Sequence, residues 1–93
     1  MIVSFKDQLT ELIASGTCPK GFPADLVRPA LRKLTMLEYA QVLIDLRSPP
    51  GNRLEALKGN RKGQYSVCIN DKWRICFVWT ASGPKDVEIT DYH

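Results

Sequence analysis

The sequence predicts an α+β fold in which an N-terminal strand and two helices precede a four-stranded antiparallel meander. Apolar residues recur at helical spacing between residues 7 and 46, whereas after Gly51 they alternate with polar residues as strands require. With 93 residues, of which 44% are hydrophobic and 25% charged, the chain is long enough for one hydrophobic core. We therefore expect a single domain over residues 1–93.

The first half of the chain contains the predicted N-terminal strand, over residues 2–5, and the first helix. Residues 7–15 favour a helix that stops at Gly16, because their apolar positions follow helical spacing: Leu9, Leu12 and Ile13. A loop that contains two prolines and a glycine follows over residues 17–23.

The second predicted helix is longer and amphipathic. One face of a 3.6-residue period carries the apolar side chains of Leu26, Val27, Ala30, Leu31, Leu34 and Leu37. Pro29 fits only near a helix start, so we expect a cap near Asp25 and a helix that runs to about Ala40. Residues 42–46 are expected to add a turn before the prolines and glycine of residues 48–51 end helical structure.

Four strands are predicted after Gly51, over residues 53–58, 64–69, 73–79 and 86–92. A glycine-bracketed turn over residues 59–63 joins the first two. The helices should cover one face of this antiparallel sheet and leave the other face partly open.

The central hairpin can be given a register. A three-residue loop over residues 70–72 places the apolar residues on one face, with the pairs Ile69–Trp73, Val67–Ile75 and Tyr65–Phe77. A two-residue loop would mix apolar and polar residues, and such slips are disfavoured when one face is buried. Arg74 then lies on the opposite face, where we expect it to be exposed or to line a groove.

Several classes of protein are disfavoured. The N-terminal sequence has no basic stretch followed by a long apolar segment, so no signal peptide is expected. The longest apolar run, residues 75–79, is too short to cross a membrane. Cys18, Cys68 and Cys76 form no CxxC pair, and one histidine is too few to complete a zinc site with them. A cytoplasmic protein with free thiols and with neither metal nor cofactor is expected.

Positive charge is concentrated in one segment. Seven basic and two acidic residues lie between Arg47 and Arg74, whereas the whole chain has a formal net charge of +3. Such a segment is typical of a phosphate-binding face. The alternative interpretation is a solvated hairpin whose charges keep the protein soluble, and composition favours neither.

The candidate functional residues suit metal-free RNA cleavage. In that reaction the ribose 2′-OH attacks its own phosphate, so a protein need supply a proton acceptor, a proton donor and positive charge. Lys58, Arg61 and Arg74 have the charge, and His93 has the side chain that titrates near neutrality. The alternatives are that basic residues beside a turn are merely solvated and that a C-terminal histidine is a frayed end or an expression scar.

Residues 50–66, Pro-Gly-Asn-Arg-Leu-Glu-Ala-Leu-Lys-Gly-Asn-Arg-Lys-Gly-Gln-Tyr-Ser, closely resemble the core signature of HigB-type toxins, the plasmid maintenance killer branch of the RelE/ParE superfamily. Residues 67–77, the opening Ser4-Phe5 and the ending Asp91-Tyr92-His93 extend the resemblance over nearly the whole chain. The resemblance implies a RelE-like fold. It also implies the toxin of a type II toxin–antitoxin system, a metal-free, ribosome-dependent mRNA endonuclease that inhibits translation.

The resemblance implies partners and a site as well. The partners are a helix-turn-helix antitoxin encoded in the same operon, the ribosome with its mRNA, and operator DNA through the antitoxin complex alone. The implied catalytic residues are Glu55, Lys58, Arg74, Asp91, Tyr92 and His93; among these, Lys58 and Arg74 match positions that contact the scissile phosphate. Four further basic residues are expected to bind RNA: Arg53, Arg61, Lys62 and Lys72.

Glu55 departs from the family pattern, because well-studied nucleases of this branch carry a histidine there. A carboxylate can also accept a proton, so the chemistry is still available. The glutamate at position 55 nevertheless leaves a second hypothesis open, a toxin that binds the ribosome, or perturbs its assembly, without cutting RNA. A ParE-like gyrase inhibitor is a third hypothesis, which the basic groups Lys58 and Arg74 together with His93 disfavour.

Overall fold

Two helices and one four-stranded antiparallel sheet follow one another in the order that the sequence predicts. The computed structural model describes residues 1–48 and 50–91, so Tyr92 and His93, two of the expected active-site residues, lie outside the described residues. The helices are α1 (Gln8–Ala14) and α2 (Val27–Tyr39), and the strands are β1 (Glu55–Ala56), β2 (Tyr65–Cys68), β3 (Trp73–Thr80) and β4 (Gly83–Asp91). Neighbouring strands in sequence are neighbours in the sheet. No helix in the described part of the chain is long and apolar enough to cross a membrane.

Helix α1 begins where a capping side chain is available. The carboxylate of Asp7 accepts a hydrogen bond from the backbone N–H of Thr10 at 2.9 Å, which satisfies one of the free donors of the first turn. Thr10 is itself buried, and its hydroxyl accepts a hydrogen bond from the backbone N–H of Ile89 at 2.9 Å. The predicted first helix is therefore confirmed, and a side-chain hydrogen bond joins it to β4.

Helix α2 begins two residues beyond the predicted cap. A single 3₁₀ turn, Ala24–Leu26, precedes it, and Leu26 occupies the N-cap position without a side-chain hydrogen bond. Its buried residues are Ala30, Leu34 and Leu37, which belong to the predicted apolar face. A second 3₁₀ segment, Leu43–Arg47, supplies the further turn expected before the prolines.

The predicted register of the central hairpin is confirmed. Tyr65 pairs with Phe77 and Val67 with Ile75, and the backbone N–H of Ile69 donates to the carbonyl of Trp73 at 2.9 Å. The side chain of Asn70 closes the loop by accepting hydrogen bonds from two backbone N–H groups, those of Lys72 and Trp73. Register is fixed here by burial, because Val67, Ile75 and Phe77 are almost fully enclosed.

The ends of the strands differ from the prediction. Residues 2–5 form no regular strand, and a single parallel bridge joins Phe5 to Val87. Strand β1 is limited to Glu55–Ala56, because Arg53 has a φ of 48°, outside the extended region. Strand β4 begins at Gly83, three residues early, and its register against β3 shifts at an irregularity between Cys76 and Val78.

One apolar cluster unites the helices with one face of the sheet. It includes Ile13, Ala30, Leu34 and Leu37 from the helices and Val67, Ile75, Phe77, Val87 and Ile89 from the strands. Residues that alternate with these along the strands, among them Arg74 and Glu88, point away from this cluster. The face of the sheet opposite the core therefore carries the polar side chains that could form a functional site.

Candidate active site

A row of four side chains crosses the sheet on the face opposite the core. Glu55 is paired with Ser66, Ser66 with Cys76, and Cys76 with Glu88, so that each of the four strands contributes one residue. Glutamates occupy both ends, on strands whose backbones are about 14 Å apart at the usual spacing between strands. Ser66 and Cys76, in the middle, are buried.

An open groove with a volume of about 740 Å³ lies over this face. Its lining comes from three places in the sequence: the segment around β1, the turn after it, and the sheet residues of β3 and β4. The lining residues are Glu55, Ala56, Leu57, Lys58, Arg61, Cys76, Thr90 and Asp91. A groove of this volume, lined by charged and polar side chains, can admit an extended polar chain.

Arg74 is held from two neighbouring strands. Its Nη1 donates to Glu55 Oε1 on β1 at 3.1 Å and to Ser66 Oγ on β2 at 3.1 Å. The Arg74 side chain is only 13% exposed, whereas that of Glu55 is 49% exposed. The guanidinium therefore lies low on the sheet surface beside the groove, and the carboxylate of Glu55 is open to it.

Arg61 forms a second arginine–carboxylate pair at the other end of the row. It comes from the 3₁₀ turn Gly59–Arg61, and its Nη1 donates to Glu88 Oε1 at 3.0 Å and to Gln64 Oε1 at 3.1 Å. The hydrogen bond to Glu88 raises the pKa of Arg61 above its ordinary value. Lys6 Nζ lies 3.7 Å from the same Glu88 oxygen, so the Glu88 carboxylate forms ion pairs with both Arg61 and Lys6.

The other predicted site residues fall into two groups. Lys58 and Asp91 line the groove, and Lys72 joins them through an ion pair of 3.6 Å between its Nζ and Asp91 Oδ2. Arg53 and Lys62 are exposed and are not among the groove's lining residues. In the described ranges, no group of three histidine, cysteine, aspartate or glutamate side chains is arranged to hold a metal ion.

Cys76 lines the groove and lies between Ser66 and Glu88 in the row across the sheet. Burial raises the pKa of its thiol, and this effect outweighs the opposite influence of the nearby Arg61 and Arg74. The thiol is therefore protonated at neutral pH, which makes it a poor nucleophile.

Glu88 and Ser66 are residues of this site that the sequence did not predict. A signal for Glu88 was present, because Val87 and Ile89 are apolar residues with core spacing and the residues between and after them must face the other side. That alternation places Glu88 and Thr90 on the same face as Arg74. The contact between Glu88 and Arg61, 27 positions apart, could not be read from spacing.

Comparison with known proteins identifies the group to which this fold and site belong. Residues 3–93 match the family model for HigB-like toxins, described as the RelE-like toxin of the type II toxin–antitoxin system HigB. The chain belongs to the HigB-like toxin family. The resemblance to HigB-type toxins predicted from the sequence is thereby confirmed, and membership of a type II system implies an antitoxin as partner of this HigB-like chain.

Three relatives are similar to this HigB-like chain over most of their length. Toxin HigB-1 of Vibrio cholerae is 39% identical over 80 residues, which cover 85% of this chain and 84% of the relative. Endoribonuclease HigB of Proteus vulgaris is 29% identical over 93 residues, all of both chains. An uncharacterized protein of Haemophilus influenzae is 32% identical over 73 residues, 78% of this chain and 72% of the relative.

Proposed function

We propose that this HigB-like toxin is an endoribonuclease that inhibits translation by cutting mRNA on the ribosome without a metal ion. The observation that carries the proposal is the groove in which Glu55, Lys58 and Asp91 meet beside Arg74. The name of the relative from Proteus vulgaris, an endoribonuclease matched over its full length, supports the same activity.

The proposed chemistry gives a role to four residues. Glu55 accepts the proton of the ribose 2′-OH, whose oxygen then attacks the adjacent phosphorus. Arg74 and Lys58 stabilise the negative charge that develops on the phosphorane oxygens. As the bond from phosphorus to the 5′-oxygen breaks, His93 supplies a proton to the leaving oxygen, with Asp91 and Tyr92 beside it in the sequence. The products are a 2′,3′-cyclic phosphate and a 5′-hydroxyl.

The proposed setting follows from the family. The partners are a helix-turn-helix antitoxin from the same operon, the ribosome with its message, and operator DNA bound through the antitoxin complex. We place the protein in the cytoplasm and treat residues 1–93 as one RelE-like domain. The basic residues Arg53, Arg61, Lys62 and Lys72 would contact the RNA backbone around the site.

One observation favours a second candidate, a toxin that occupies the ribosome without cutting. Glu55 and Arg74, the proposed base and the proposed phosphate-binding group, are bonded to each other at 3.1 Å. If RNA does not displace this contact, both groups stay occupied and the groove can bind RNA without cleaving it.

Primer extension on a message in a purified translation system separates the two candidates. Cleavage predicts strong stops at defined positions, absent when ribosomes are left out and absent when the antitoxin is added. Arrest of protein synthesis on intact message would support the non-cleaving toxin and contradict the nuclease.

A further inference from the structure

The groove has two anchored arginines, and only one has a role in the proposed chemistry. Arg74 and Arg61 are each bonded to a carboxylate at one end of the row across the sheet, at 3.1 Å to Glu55 and at 3.0 Å to Glu88. The two arginines are therefore held at separate points along the same face. Arg61 lines the groove itself.

Arg61 needs an anchor to occupy a defined place. It leaves the chain from a short 3₁₀ turn between β1 and β2, and an arginine side chain that is not held in place loses rotamer entropy when a ligand fixes it. Glu88 supplies a rigid point, since it lies within β4, is 17% exposed and is paired through the backbone with the buried Cys76. The hydrogen bond between Arg61 and Glu88 therefore holds the guanidinium, which originates in the turn, next to β4.

The contact leaves Arg61 able to bind a ligand. Both of its described hydrogen bonds are made by Nη1, and a guanidinium carries further N–H donors on Nη2 and Nε in a fixed planar fork. That geometry matches the oxygens of a phosphate diester. Arg61 is also 36% exposed, so solvent and ligands reach it.

We propose that Glu88 is a positioning residue that holds Arg61 as a second phosphate-binding arm, for a backbone phosphate of single-stranded RNA other than the one at Arg74. The inference rests on the proposed function as an RNA-binding toxin. A carboxylate near a phosphate-binding groove repels RNA, so simple electrostatics requires that its removal tighten binding, whereas a positioning role requires that its removal weaken binding.

The test uses a short fluorescein-labelled single-stranded RNA in which every 2′-OH is methylated, so that binding is measured by anisotropy without cleavage. Glu88→Ala and Arg61→Ala should each weaken binding about fivefold, within the range of coupled contacts. The double variant should bind no more weakly than Arg61→Ala, because Glu88 acts only through Arg61. Glu88→Gln should retain most of the affinity, since its amide oxygen still accepts the hydrogen bond.

The matched control is Glu11→Ala, which removes the same charge from an exposed position on α1 and should leave affinity unchanged or slightly tighter. Tighter binding by Glu88→Ala, losses that add in the double variant, or no RNA binding by the unaltered protein would each overturn the inference. Should Glu88→Ala fail to fold, Glu88→Gln decides the inference by the sign of its effect, because a positioning role requires that affinity be retained, whereas repulsion alone requires that binding tighten.

Failure of the proposed function is visible separately. If the unaltered protein leaves ordinary message intact in the translation system, the proposed nuclease activity is contradicted. The affinities of the Glu88 and Arg61 variants for methylated RNA still test the positioning role of Glu88.

Discussion

The Nη1 atom of Arg74 lies 3.1 Å from both Glu55 Oε1 and Ser66 Oγ, so one guanidinium is fixed from two strands at once. A phosphate-binding group that is already oriented needs little reorganisation when charge develops on the substrate. The same contact places Glu55, the proposed base, next to the group that would hold its substrate.

Replacement of Arg74 by alanine should lower message cleavage at least about a hundredfold, the usual effect of losing a donor that stabilises a developing oxyanion. Because the side chain is largely enclosed and makes two hydrogen bonds, we also expect stability to fall by about 1 kcal/mol. Primer extension measures the first effect and urea unfolding the second. Removal of His93 should reduce cleavage to a similar degree.

Arg28→Ala serves as the control for that pair of variants, since Arg28 is exposed on α2 and is not among the groove's lining residues. It should keep full cleavage. Undiminished toxicity after loss of both Arg74 and His93 would argue for the non-cleaving toxin.

Glu55→Gln tests the proposed base. The amide keeps an oxygen that can accept from Arg74 but cannot take up a proton at neutral pH, so cleavage should drop about 10²–10⁴-fold with little change in unfolding. Glu55→His restores a proton acceptor and should cleave at least as well as the unaltered protein. A Gln variant that cleaves normally would remove Glu55 from the mechanism.

The buried thiol of Cys76 should make stability depend on alkaline pH. Burial raises the pKa of this thiol in the folded state above its ordinary value of about 8.5, so the folded chain holds the proton more tightly than the unfolded chain. Its contribution to stability is therefore complete below about 8.5 and is lost as the pH rises through the folded-state value. Urea unfolding at neutral and alkaline pH measures the loss.

Cys76→Ala should flatten that alkaline decline, whereas Cys18→Ala, which removes an exposed thiol, should leave it unchanged. An equal decline in both variants would show that other groups cause it.

Thr10→Val should destabilise the protein by about 1–3 kcal/mol, because the buried N–H of Ile89 loses its acceptor without gaining water. Thr10→Ser keeps the hydroxyl and should cost clearly less. Thermal unfolding of the two variants makes the comparison. A larger loss in Thr10→Ser than in Thr10→Val would mean that the methyl group, rather than the hydrogen bond, is what matters at this position.

The elements that the sequence predicts well are those whose signals are local. The hairpin register follows from the spacing of Val67, Ile75 and Phe77 at every second position of their strands, since only one pairing buries all of them on one face. Helix α1 follows from its apolar spacing, with Asp7 at the expected start. In both cases, neighbouring residues determine the outcome.

The parts that the sequence does not predict depend on distant partners or on single backbone angles. The bridge between Phe5 and Val87 joins opposite ends of the chain, and β1 is short because Arg53 adopts a positive φ. The same holds in the candidate site. The grouping of Lys58 with Asp91 was implied by family resemblance, whereas the Arg61–Glu88 pair emerges only when the turn and β4 are placed in space.

The N-terminal segment also has a consequence for self-association. On the side of β4 away from β3, Val3 donates to the carbonyl of Pro84, Lys6 donates to the carbonyl of Val87, and Thr10 accepts from Ile89. Backbone groups that would otherwise lie on an open sheet edge are thus already satisfied, and at the opposite edge β1 has only two residues. Unpaired edges are templates for adding strands from other molecules. The protein therefore presents no long edge, among the residues described, on which copies could aggregate through their sheets.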